Sequence, residues 1–167
     1  AGLIAEAMGL PPEMVESIEL ASTLHDIGKI GIPDEILLAE EALTEAQEQA
    51  LREHTEIGHR LLAQSSSEHL KVAAEIALAH HERYDGRGYP KGLKARDIPV
   101  AARIVAVAEA FDTLTFAAQC KSAAQVATAM RSIIARKETE FDPVCVEALS
   151  CQLEKTDEIM ATFADPA

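Results

Sequence analysis

Apolar side chains recur along this chain with the three-to-four-residue period of a helix. Leu3, Ile4, Ala7 and Met8 share one such face, and Gly9 closes it. Pro11-Pro12 followed by Glu13 opens a second helix bearing Val15, Ile18 and Leu24. That helix is expected to stop near Gly28-Lys29-Ile30-Gly31-Ile32-Pro33. Thr44-Glu45-Ala46-Gln47 has the form of a capping box, and its helix is expected to reach about Glu53 or beyond. Ser65-Ser66-Ser67 is a polar connection, and Leu70 to His81 is again helical. From Tyr84 to Gly92 the pattern breaks. Three Gly and one Pro in nine residues predict a loop. Pro99 to Leu114 reads as a buried helix and Ala123 to Lys137 as another. Phe141-Asp142-Pro143 is a turn, and a last helix starts at Val144. No strand-like alternation is convincing and no internal repeat is seen. The expected fold is all-α, a single-domain helical bundle.

Composition narrows the function. With 167 residues the chain fits one domain, and 48% apolar with 26% charged residues suits a globular core. The formal net charge is −13, so the mean field repels phosphate polymers and anionic membranes. Aromatics are only 4%, which disfavours stacking platforms for single strands. Ile98 to Phe111 is the longest apolar stretch, and Arg103 and Glu109 interrupt it, so a membrane span is not expected. Cys120, Cys145 and Cys151 form no CxxC and leave an odd count, which points to reduced thiols in the cytoplasm.

The candidate chemistry lies in a spaced series of His and carboxylates. His25-Asp26 comes first. His54 follows Asp26 by 28 residues, His80-His81 starts 26 after His54, and Glu109 lies 28 after His81. Each interval is about a helix plus a turn, so an antiparallel bundle could return every group to one level. Inward His and carboxylates in a bundle core are a standard site for paired metals. Such donors favour Fe, Mn, Zn, Ni or Co over Ca or Mg. His59 and His69 fall outside the series and are expected to be surface or hydrogen-bonded residues. Six of the basic residues, Arg83, Arg87, Lys91, Lys94, Arg96 and Arg103, gather in 21 positions against only Asp85 and Asp97. That is a local phosphate-compatible patch in an acidic chain, although Arg103, inside an apolar helix, could instead pair with an internal carboxylate.

His25-Asp26-Ile27-Gly28-Lys29 resembles the HD motif of the HD-GYP phosphodiesterases. His80-His81-Glu82-Arg83-Tyr84-Asp85-Gly86-Arg87-Gly88-Tyr89-Pro90 resembles the segment that completes the family's name. Ala102 to Ala108 and Phe141-Asp142-Pro143 follow its pattern in order. The resemblance implies an all-helical HD-type fold with a Gly-rich loop. It implies a phosphodiesterase that hydrolyses cyclic di-GMP, or in some members cyclic GMP-AMP, to linear pGpG, with GMP after a second cut. Two or three transition-metal ions are implied, Fe or Mn first and Ni, Co or Zn as alternatives. His25, Asp26, His54, His80, His81 and Glu109 would be ligands, with Asp26 bridging. Asp26 and Lys29 would act in catalysis. Lys29, Arg83, Asp85, Gly88, Tyr89, Pro90 and Lys121 would face the substrate.

Three departures accompany the resemblance. Glu109 stands where the family usually has Asp. Asp112 lies one turn on, about 60° around the helix. Ala118-Gln119-Cys120-Lys121 replaces the family's Arg-Pro-Tyr-Lys run, which removes a guanidinium and leaves Lys121. A first-helix His of the family has no counterpart before His25. Residues 1–167 are therefore expected to be one HD-GYP domain whose first helix is truncated, with a helix or tail from about 150. A regulatory domain is expected to precede it in the full-length protein. The departures also support an alternative, a non-catalytic module that binds a cyclic dinucleotide or a partner such as a GGDEF domain. A di-iron redox protein on the same ligands is a third option.

Overall fold

The computed structural model describes residues 1–117 and 123–153. Among them the regular structure is helical, apart from one isolated bridge between Lys137 and Phe141. The helices are α1 (Gly2–Ala7), α2 (Pro12–Ser22), α3 (Asp34–Leu37), α4 (Glu45–Arg52), α5 (His54–Leu62), α6 (Glu68–Ala79), α7 (Val100–Ala117), α8 (Ala123–Ala135) and α9 (Pro143–Ser150). Short 3₁₀ turns occupy Ile27–Gly31 and Ala95–Asp97.

Local chemistry explains most boundaries. Gly9, at φ +71°, ends α1 in a left-handed turn that lets Leu10 N–H donate to Ala5. The Thr44 capping box is formed in both directions, with Thr44 N–H donating to Gln47 Oε1 at 2.9 Å. The chain turns at Glu53 and restarts as α5, so the helix after Thr44 ends close to its expected limit. Asp142 caps α9 by accepting from Val144 N–H at 2.8 Å, and Pro143 fills the first turn. Arg103 of α7 pairs with that same Asp142, which ties α7 to the start of α9.

The core joins α1, α2, α6, α7, α8 and α9 around Ile18, Ile76, Ile104, Val107 and Ile133. Burial of such side chains contributes about 1.5–3 kcal/mol each relative to exposure. The core leaves α5 packed on the edge of α6, with the Ile27–Gly31 turn packed on α5, and the candidate site forms there. No described helix is long and apolar enough to cross a membrane.

Candidate metal centre

Close backbone packing builds the site. Gly28 sits in the 3₁₀ turn after α2, against the first turn of α5. A Cβ there would stand 1.9 Å from His54 O and 2.5 Å from Gly58 N. Only hydrogen fits, and this approach sets Asp26 beside His54. Gly58 in turn lies against Ala77 of α6, which brings the His80-His81 end of α6 to the same place.

Four side chains converge. Asp26, His54, His80 and His81 each present a ligand atom, and these atoms lie within 4.8 Å of one another. Asp26 Oδ1 is 3.4 Å from His54 Nε2 and 3.9 Å from His80 Nε2. Asp26 Oδ2 faces the other way, 3.3 Å from His25 Nε2 and 2.6 Å from Lys29 Nζ. The carboxylate thus has one oxygen in the buried cluster and one toward His25 and Lys29.

The histidines are oriented from outside. His54 Nδ1 donates to Leu51 O at 2.7 Å, and His25 Nδ1 to Ser22 O at 2.8 Å. His80 Nδ1 lies 3.0 Å from Ile76 O and 3.1 Å from Ala77 O. A carbonyl can only accept, so Nδ1 of His54 and of His80 carries a proton, and the tautomer with Nδ1–H points an Nε2 lone pair into the cluster. Asp26 Oδ1, His54 Nε2 and His80 Nε2 are buried without a hydrogen-bond partner. Three facing acceptor atoms with no donor between them repel one another, and a cation placed among them resolves this. The donor set of imidazoles and carboxylate fits a transition-metal ion.

Electrostatics agree with that geometry. Burial lowers the pKa of His80 to about 4, and the nearby His25 adds to the shift. Burial likewise takes His81 down to about 3, helped by His80. Both rings are therefore neutral at physiological pH, as ligands must be. Burial pushes the Asp26 carboxyl upward, but hydrogen bonds from His25 and Lys29 outweigh it and hold the pKa well below the usual range. The same bond to Asp26 raises His25.

Glu109 of α7 stands beside this cluster but outside its four mutually close ligand atoms. It lines both neighbouring cavities, and burial raises its pKa. One cavity, of about 750 Å³, includes His25, Asp26 and Lys29 with Glu19 and Asp112. The other, of about 450 Å³, includes His80, His81 and Tyr89 with four arginines.

The Gly-rich loop forms a wall of the second cavity. Gly88 permits it, since a Cβ would lie 2.3 Å from Arg83 N. Tyr89 precedes a cis Pro90 and stacks on His81 at 4.8 Å. Buried Glu82 accepts from Lys91 N–H at 2.8 Å and Leu93 N–H at 3.0 Å. Arg83 pairs with Asp85 and with Glu140, and Asp85 also accepts from Arg87 N–H. The charge of Arg83 and Asp85 is thus directed into the loop and onto the turn before α9. Arg103 likewise pairs internally with Asp142. His59 bonds Ala74 O and His69 bonds Ser17 Oγ, both away from the cluster. Ala118 and Lys121 lie outside the described residues.

Sequence reasoning missed Arg52, Glu82, Arg136 and Glu140. Arg52 reaches the cleft from the end of α4, and Arg136 from the end of α8. Its adjacency to His54 in the chain was the signal available for Arg52. Arg136 and Glu140 pair with each other at i,i+4, a spacing the sequence does show, but the approach of Arg83 to Glu140 from 57 residues away left no sequence signal.

Comparison with known proteins agrees with this architecture. The HD domain family model matches residues 1–145. The chain is 46% identical to the cyclic di-GMP phosphodiesterase response regulator RpfG of Xanthomonas campestris over 98% of its own length and 43% of that protein. It is 46% identical to a cyclic di-GMP phosphodiesterase of Thermotoga maritima, over 93% of this chain and 43% of that one. A 3′3′-cGAMP-specific phosphodiesterase 2 of Vibrio cholerae is 40% identical over 96% of this chain and 30% of its own. The chain spans less than half the length of these curated relatives. Among solved structures, a cyclic GMP-AMP specific phosphodiesterase of V. cholerae superposes with a TM-score of 0.72, over 98% of this chain and 44% of that one. Its identity is 18%, so it attests the fold.

Proposed function

This chain belongs to the HD domain family, and on that basis we propose that it hydrolyses a cyclic dinucleotide, cyclic di-GMP, to linear pGpG, with GMP as the product of a second cut. The observation that supports this most directly is the set of inward, partnerless atoms Asp26 Oδ1, His54 Nε2 and His80 Nε2. Relatives described as cyclic di-GMP phosphodiesterases support the substrate class.

His25, Asp26, His54, His80 and His81, with Glu109, would hold two or three transition-metal ions, iron or manganese in the first instance. Such ions supply Lewis acidity and an acidified water near neutral pH. The chain's own residues do the rest. Asp26 presents one oxygen to each side, and would hold such ions from either oxygen. His54 and His80 are fixed by their Nδ1 bonds, so their lone pairs need no reorganisation. Lys29 lies against Asp26 Oδ2 and faces the larger cavity, where its ammonium can offset charge on a non-bridging phosphate oxygen. Tyr89 and Gly88 shape the cleft on the His81 side.

A second reading rests on Glu109, which stands outside the close group of four. In that reading the protein binds a dinucleotide or a signalling partner without cutting it. The deciding experiment loads the protein with Mn or Fe, measures metal by mass spectrometry, and follows cyclic di-GMP by chromatography. Metal uptake with pGpG formation is expected. Metal and nucleotide binding without product under Fe, Mn, Ni and Co would establish the second reading instead.

A further inference from the structure

Four arginines line the cleft of about 450 Å³, and they are not equivalent. Arg83 is engaged by Asp85 and Glu140, and Arg136 by Glu140 at 2.9 Å. The guanidinium groups of Arg52 and Arg87 have no carboxylate partner among the described residues. In a chain with 28 acidic residues against 15 basic ones, two such groups on one cleft stand out.

Arg52 is also held in place. Its Cζ lies 5.0 Å from the centre of the Tyr89 ring, and that ring stacks on His81. A cation over an aromatic face keeps its N–H donors free, because the ring attracts charge rather than accepting those donors edge-on. The planar fork of Arg then suits the paired oxygens of a phosphate. Arg52 precedes His54 by two residues, so the turn that places His54 in the cluster also places Arg52 at its rim.

A cyclic dinucleotide has two phosphodiesters, and the metal cluster acts on one of them. We infer that Arg52, with Arg87 on the same cleft, binds the phosphodiester that is not being cut. This rests on the dinucleotide reading above and gives that substrate a second anchor.

The test compares the Mn-loaded full chain with Arg52→Gln, Arg52→Lys and the Arg52→Gln/Arg87→Gln double variant. Calorimetry reads cyclic di-GMP affinity, and steady-state kinetics separate KM from kcat. Bis(p-nitrophenyl) phosphate, a single phosphodiester, serves as the control substrate. Arg52→Gln should weaken dinucleotide binding about 10- to 100-fold, chiefly in KM, with metal content unchanged. Arg52→Lys should recover part of that loss, the double variant should lose more, and control hydrolysis should be unaffected. Equal dinucleotide affinity in wild type and Arg52→Gln overturns the inference, as does a parallel loss on both substrates. If the wild type binds the dinucleotide without cutting it, hydrolysis fails as a reading while the affinity comparison still decides the role of Arg52. If it binds no dinucleotide, both fall.

Discussion

Two adjoining regions of this protein use the same kinds of polar side chain in opposite ways. In the loop from Glu82 to Leu93 the carboxylates are met by groups of the loop and of the turn before α9. Glu82 takes two backbone N–H groups, and Asp85 takes the Arg83 guanidinium and the Arg87 N–H. In the cluster, only the outer half is satisfied. The Nδ1 atoms of His25, His54 and His80 bond backbone carbonyls, while Nε2 of His54 and His80 and Oδ1 of Asp26 face one another without a hydrogen bond. A buried polar group without a partner costs about 1–3 kcal/mol. The carboxylates of the loop therefore act as scaffold, and the cluster as a receptor for a positive ion. Polar satisfaction, more than residue type, separates holding a shape from holding a ligand.

The sharpest way to break that comparison is Asp26→Asn. An amide keeps the volume and loses the charge that faces both sides. Bound metal and the proposed phosphodiesterase activity should each fall by more than the roughly 10- to 100-fold typical of losing an outer partner. Elemental analysis and turnover on the same preparation check this, and retained metal would remove Asp26 from the ligand set.

Gly28→Ala probes what brings the cluster together. Its Cβ would meet backbone atoms, which cannot swing aside, so about 3 kcal/mol or more of destabilisation is expected. Urea unfolding measures it. A variant of wild-type stability would show that the turn and α5 need not approach so closely.

On the scaffold side, Glu82→Gln replaces an acceptor of two N–H groups by an amide that has one acceptor oxygen. A loss of about 1.5–3 kcal/mol is expected, with metal content preserved. Loss of metal without loss of stability would place Glu82 with the receptor rather than the scaffold.

The smallest effect carries a sign. His80 and His81 have pKa values below the unfolded value, so the unfolded chain binds more protons as pH falls below about 6.5. Their neutral burial favours folding above that range, and the benefit is lost as pH drops toward about 4 and 3. His25 is shifted upward and opposes the trend, since its contribution is present in acid and lost as pH rises through its folded pKa. The metal-free protein should lose about 1 kcal/mol between pH 7 and pH 5.5, read from thermal or urea midpoints. A midpoint that rises over that interval would show the upward-shifted His25 and Glu109 to dominate.

Much of this was legible in the linear order of residues. Helical periodicity located the main helices, the capping box of Thr44 formed as written, and the Tyr84–Gly92 run is a loop. The His and Asp spacing announced a cluster, and Asp26, His54, His80 and His81 meet in it. These features are local, or repeat at intervals that a helix and a turn must bridge. Hydrogen bonds within one turn, such as His54 Nδ1 to Leu51 O, depend on neighbours in the chain.

Other features depended on packing alone. Which oxygen of Asp26 faces the buried histidines and which faces Lys29 follows from how tightly Gly28 lies against α5. The direction of Arg83 toward Glu140, 57 residues away, and the arrival of Arg52 over Tyr89 follow from where separate helices end. Sequence determined the donor types and the helices that bear them. Tertiary structure decided which donors are satisfied and which are left open, because a long side chain's partner is set by what packs beside it.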